Sequence, residues 1–282
     1  AGRNVTTGSS NTIVGRNAMD GVVTGDANTA VGEKALRQNT SGAQNVAVGY
    51  FAMDANTTGA ENVAVGTFAL DANTGGGKNV AVGFGAMTDN TTGSNNIAIG
   101  ENCLADNTTA SNNVAVGMDA LRLTTTGYSN TALGVSALQN NTANNNTAVG
   151  FEAMKSGTTG SSNACFGRHS GYSITTGADN TCLGYNSGDA ISTGGSNVTI
   201  GSNAAASFNG SGNTYVGNSA ASNSTGGNQN IAIGTIAGTD AVFNITTESE
   251  RIVMGMNDHT NAYIKIAWTV TSDKRDKIED GT

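Results

Sequence analysis

The chain has 282 residues, of which 12% are charged and 5% aromatic, with 40 glycines, no proline and a formal net charge of -8. So thin a supply of large side chains argues against an ordinary globular domain, and the scarcity of charge together with the missing proline argues against a solvated disordered chain. The negative charge forms no acidic or basic block, so neither nucleic acid nor an anionic membrane surface is an expected partner, and no apolar run reaches the roughly 20 residues of a membrane-spanning helix.

From the N-terminus onward a pentapeptide Asn-x-x-hydrophobic-Gly recurs, beginning at Asn11, Asn28, Asn45, Asn62, Asn79, Asn96, Asn113, Asn130, Asn146, Asn163, Asn180, Asn197, Asn213 and Asn230. The step is 17 residues except for two steps of 16 (146 − 130 and 213 − 197). A fixed period of this size marks a solenoid, whose unit is too small to bury its own apolar face and must stack on its neighbours. The sequence therefore predicts an all-β, parallel β-solenoid of fourteen coils over residues 1–238. At about 4.8 Å per rung, it makes a rod of roughly 65 Å.

Positions within a coil are counted from its Asn, so that residues 45–61 run from position 1 to position 17. Positions 2 to 4 read as a short strand: Val63 and Val65 share one face, small Ala64 takes the other, and position 2 is β-branched in thirteen of the fourteen copies. The Gly at position 5, as in the pairs Asn62 and Gly66, Asn96 and Gly100, and Asn113 and Gly117, supplies a turn with positive φ. The Asn at position 1 is expected to stack as an amide ladder along the axis. The x-x-Ala-Leu or x-x-Ala-Met that follows, as in residues 32–36, reads as a second short strand, and Asn-Thr-Thr-Gly, as in residues 56–59, as a surface loop that absorbs both one-residue deletions.

Through the ninth copy position 9 is large, from Met19 to Met154, whereas from the tenth it is Gly171, Gly188, Ala205, Ala221 and Gly238. In three later copies an apolar residue stands three places further on (Ile174, Ile191 and Phe208). The cross-section is expected to change near residue 162. Beyond residue 239 the period is lost, and three strands are predicted over 241–246, 251–256 and 262–270, forming a strand-rich, prism-like trimeric neck over 239–271. Ala1 opens no secretory signal, and the chain reads as a piece of a longer one.

These residues carry a resemblance. The strands at 45–49, 96–100 and 230–234, Asn-Val-Ala-Val-Gly or Asn-Ile-Ala-Ile-Gly, resemble the head repeat of trimeric autotransporter adhesins, which implies left-handed parallel β-rolls packed as a homotrimer; the present unit is longer by its Asn-Thr-Thr-Gly loop. The run Ser-Asp-Lys-Arg-Asp-Lys at 272–277 resembles the entry to the intramolecular chaperone domain that ends phage tail fibres, endosialidase tailspikes and related bacterial surface fibres. By that resemblance residues 272–282 begin a domain that trimerises the fibre and cuts itself off, with Ser272 as the cleavage residue and Asp273 beside the scissile bond.

Outside that junction no catalytic site is expected. His169 and His259 lie in different regions without a recurring acidic or Ser partner. Calcium loops are absent, no cofactor or metal is expected, and Asp54, Asp71, Asp89 and Asp106 read as single solvated charges at coil edges. Cys103, Cys165 and Cys182 are most simply alanine substitutes, although Cys165 and Cys182, one coil apart, come near the span of a disulfide. Tyr50, Phe84, Phe151 and Tyr185, directly after the turn Gly, read either as a sugar-stacking surface or as packing between rolls, and their irregular recurrence favours packing. Three functions follow in order of preference. The first is the structural and adhesive segment of an extracellular trimeric fibre, on a virion tail or a bacterial surface, that positions or provides a surface for a glycan or protein receptor. The second is a tailspike-type glycan depolymerase, which would need paired carboxylates. The third is an ice-binding solenoid, disfavoured because most Thr pairs lie in loops.

Overall fold

The computed structural model describes residues 6–239 and 244–256. Fifteen strands of three residues, from β1 (Thr12–Val14) and β2 (Thr29–Val31) to β14 (Ile231–Ile233) and β15 (Ile252–Met254), form one sheet in sequence order. Every neighbouring pair is parallel and in register, as in Val63↔Val80 and Ala64↔Ala81, so each coil is one rung of a β-solenoid. Among the described residues there is no helix.

Alternation along each strand decides what lies inside. Ala64 is fully buried, whereas Val63 and Val65 on either side of it point outward and keep part of their surface exposed. The small residue faces the interior because the coil is narrow, and the opposite wall already fills it with Ala69 and Leu70, both fully buried.

That opposite wall is not the second strand that the sequence predicts. Consecutive Ala and Leu side chains both point inward, which an extended strand cannot do. Instead Phe68 and Leu70 adopt the left-handed conformation, φ 57° and 55°, with Ala69 between them. The same two positions take positive φ in coil after coil, and the chain closes by tight turns whose N–H groups reach the next rung, as Met53 N to Ala69 O at 3.0 Å. At position 5 Gly66 has φ 140°, and a Cβ there would lie 2.3 Å from the Gly83 carbonyl oxygen. The requirement for glycine is thus set by the neighbouring backbone as well as by φ.

Buried amides tie the rungs together. Asn62 Oδ1 accepts from the backbone N–H of Asn79 at 2.9 Å, and Asn62 Nδ2 donates to Asn45 Oδ1 at 3.1 Å and to the Gly76 carbonyl at 2.9 Å. A second amide ladder runs through position 12, where Asn39, Asn56, Asn73, Asn90 and Asn107 are fully buried and, from Asn56 on, each Nδ2 donates to the preceding Oδ1 at 2.6–2.9 Å. The Asn that begins the presumed surface loop is therefore an interior residue. Beside it, Thr hydroxyls stitch the edge, as Thr57 Oγ1 to Thr74 O at 2.8 Å.

The coil outline does not change near residue 162. β9 (Thr147–Val149), β10 (Ala164–Phe166) and β11 (Thr181–Leu183) pair without a slip, and Gly171 and Gly188 keep the left-handed φ of the Leu and Met they replace, 60° and 62°. Only the filling moves: position 9 empties, and position 12 passes from Asn to buried Ile174, Ile191 and Phe208. Both one-residue deletions leave the register intact, Thr131 facing Thr147 and Val198 facing Thr214.

The predicted strand over 251–256 is present as β15, but it is one more rung on β14, with Ile231 facing Ile252. Buried Ile245 closes the core above Ala232 and Gly238. Residues 244–246 form no strand; the rest of the strand predicted over 241–246, most of the neck, the strand over 262–270, His259, Ser272 and Asp273 lie outside the described residues.

Candidate functional site

The outward strand face runs along all fifteen rungs. Position 4 is apolar in every coil, and Val65, Ile99, Leu133, Phe166, Leu183 and Ile233 on it are exposed, with Ile99 at 41% and Leu183 at 47% of their full surface. Position 2 on the same face adds Val63, Val80, Ile97 and Val114. Monomeric proteins seldom leave an apolar strip of such length open to water.

The four rings singled out in the sequence stand beside this face at position 6, with Tyr50 at 45%, Phe84 at 54%, Phe151 at 45% and Tyr185 at 46% exposure. The structure gathers them into two clusters with partners that the sequence reading omitted. Tyr50, Phe51, Phe68 and Phe84 form a chain of ring contacts with centroids 4.4–6.2 Å apart, and the Lys34 ammonium lies 4.2 Å above the Phe51 ring. In the second cluster the Arg168 guanidinium sits between the Phe151 and Tyr185 rings, 5.6 and 5.5 Å from their centroids, and donates to the Tyr185 hydroxyl at 3.3 Å. There His169 does have an acidic partner: its Nε2 is 2.9 Å from Glu152 Oε2. Glu152 also accepts from Lys155 at 2.7 Å, and that bond leads the causes holding its carboxyl below the ordinary value.

Asp54 and Asp71 are not single solvated charges, whereas Asp89 stands exposed at its coil edge. Asp54 and Asp71 both occupy position 10 of adjacent coils, and Asp54 is buried, with one oxygen accepting from Arg37 at 2.7 Å. The other oxygen of Asp54 and one oxygen of Asp71 are buried without a hydrogen-bond partner. Burial, and next the Asp54 carboxylate, pushes Asp71 up to about 6. Asp106 is raised in the same sense, by burial and then by Asp89. The sequence held the signal, since 71 − 54 equals one period of 17 residues.

The three cysteines are buried and free, and burial pushes Cys103 up to about 12. No three His, Cys, Asp or Glu side chains among the described residues converge to hold a metal ion, and among the same residues no helix is long and apolar enough to cross a membrane. Asn62, Gly66, Asn96, Gly100, Asn113 and Gly117 build the rungs: the three Asn side chains are buried in the amide ladder, and the three Gly residues take φ from 132° to 140°.

The fold and its surface define a repeat protein of the parallel β-solenoid class, with one unbroken sheet and an apolar outer face. No family model, curated protein or solved structure matches the chain.

Proposed function

We propose that this chain is a structural and adhesive segment of an extracellular homotrimeric fibre, from a virion tail or a bacterial surface, that positions or provides a receptor-binding surface. The observation that carries the reading is the outward apolar strand face. Fifteen rungs at about 4.8 Å, with an outward apolar residue at position 4 of every coil, give a strip roughly 70 Å long. A second copy of the same chain has the same rung spacing and so meets this strip side chain for side chain along its length. Three copies around one axis would cover it on every roll, as the resemblance to trimeric adhesin heads implies. A glycan or protein receptor would then meet the surface outside that seam, with the exposed rings of Tyr50, Phe84, Phe151 and Tyr185 as its candidate contacts.

The test is the solution mass of the purified chain by sedimentation. The expected result is three times 28.1 kDa, reduced to the single-chain mass in an Ile99→Glu, Leu133→Glu double variant whose circular dichroism is unchanged. An intact but monomeric wild-type solenoid would reject the reading.

The depolymerase alternative gains one observation, the adjacent Asp54 and Asp71 carboxyls with the second raised to about 6. It is checked by incubating the chain with surface polysaccharide. Bond cleavage that disappears in Asp71→Asn would establish it.

A further inference from the structure

We propose that Cys165 and Cys182 are a covalent modification site, closing a disulfide between two neighbouring coils when the chain folds in the presence of a small-molecule disulfide. The two residues face each other directly in the β10–β11 pairing. Parallel rungs stand about 4.8 Å apart, within the Cα separation that a disulfide spans, and in-register side chains leave the strand on the same side. Both side chains point into the interior and are fully buried, so a bond between them is shielded from solvent and from other thiols once the coils close.

The interior is shaped around them. A Cβ added at Gly171 would lie 2.5 Å from Cys165 Sγ, and one at Gly188 would lie 2.6 Å from Cys182 Sγ. Position 9 gives up its large side chain in these two coils, as it does in the three that follow, and here the space is taken by the sulfur together with Ile174 or Ile191, whereas in earlier coils Leu or Met stands there against Ala. Ser170 adds a bond between the same rungs, its hydroxyl donating to the Cys182 carbonyl at 2.8 Å. Cys103 has no such counterpart: it sits at position 8 with Ala86 and Ala120 at the same position of the adjacent coils.

Chemically, one cysteine thiolate attacks the small-molecule disulfide, forming a mixed disulfide and releasing one reduced thiol. The second cysteine thiolate then attacks the protein sulfur of that bond and expels the other half. The two cysteines are oxidised, the small disulfide is reduced to two thiols, and the two cysteine protons end on those thiols. In the closed solenoid the Cys165 thiol donates to the Cys182 sulfur, which holds Cys165 well above its ordinary value and Cys182 below it, and the full burial of both sulfurs keeps a small-molecule disulfide from reaching either. The bond accordingly forms while the coils are still open and is shielded once they close.

The experiment refolds the full chain from denaturant with oxidised glutathione, then alkylates it in denaturant and reads its mass. Of three cysteines, one is expected to take the label, Cys103, with a cross-linked peptide joining Cys165 to Cys182. In Cys182→Ala, which places there the residue that earlier coils carry, two labels are expected and the cross-linked peptide disappears. Three labels on the wild-type chain, a stable glutathione adduct, or a bond that includes Cys103 would each overturn the assignment. So would a Cys182→Ala chain that still loses two thiols.

Discussion

The coils from Asn28 to Asn146 and those from Asn163 to Asn213 share one backbone and differ in what fills it. The first group packs Leu or Met at position 9 against Ala at position 3 and runs a polar amide ladder through position 12. The second empties position 9, enlarges position 3 to Cys, Thr or Tyr, and replaces the ladder with Ile174, Ile191 and Phe208. Phe208 and Tyr215, both fully buried, meet edge to face at 5.3 Å inside these coils. The outline is therefore set by what the two groups have in common: the strand, the Gly at position 5 and the Asn at position 1. The interior is set by total volume and by whether each buried polar group finds a partner.

The largest expected effect comes from breaking what both groups share. Gly66→Ala drives a Cβ into the Gly83 carbonyl at 2.3 Å, at a φ that disfavours side chains, and should cost about 4 kcal/mol or unfold the neighbouring coils. Gly226→Ala, where an added Cβ meets nothing within 4 Å, should stay within about 0.5 kcal/mol by denaturant unfolding. Asn62→Ala leaves the Asn79 N–H and one bond to the Gly76 carbonyl unmade in a buried place, a loss of roughly 3 kcal/mol in the same measurement.

Exchanging the interiors sharpens the comparison. Asn73→Ile interrupts the second ladder, orphaning Asn56 Oδ1, and overfills a coil that already holds Leu70, so about 3 kcal/mol should be lost. Adding Leu70→Gly converts the coil to the second filling and should return at least about 1 kcal/mol, a coupling that a double-mutant cycle reads directly. Thr124→Asn should do the reverse of damage. Asn107 Oδ1 is buried without a partner because Thr124 donates instead to the Asn141 carbonyl at 2.7 Å, and an amide there extends the ladder for a gain of about 1 kcal/mol.

The smallest effect is the pH dependence that Asp71 brings to the first group. Asp71 titrates at about 6 in the folded chain and near 3.8 when unfolded, so the folded state binds more protons between those values. Stability should rise as pH falls from 7 through 6 towards 4, and level off below. Melting curves of Asp71→Asn beside the wild type isolate this contribution: the variant should melt higher at pH 7.5 and lose the slope between pH 6 and 4. Equal slopes would remove Asp71 as its source.

Much of this was legible in the period alone: the strand, its parallel stacking, the position 1 ladder and the turn Gly all follow from residue types that recur every 17 residues. The left-handed residues at positions 7 and 9 were not legible, because Phe68 and Leu70 give no local signal of positive φ; packing imposes it on them. The second ladder was hidden by context. Asn-Thr-Thr-Gly reads as a turn when taken alone, yet Asn39, Asn56, Asn73, Asn90 and Asn107 keep the period and so must stack. Asp54 and Asp71 escaped for the same reason, each looking solitary along the chain while the coil places one over the other.

One backbone with two interiors is most directly tested by amide hydrogen exchange resolved residue by residue. Every position 1 Asn from Asn45 to Asn213 donates its N–H to the preceding Asn side chain in a buried place, so these amides should exchange among the slowest in the chain on both sides of Gly157. Slow exchange up to Asn146 with fast exchange at Asn163, Asn180 and Asn197 would contradict the account, dividing the rod into two separately stable pieces.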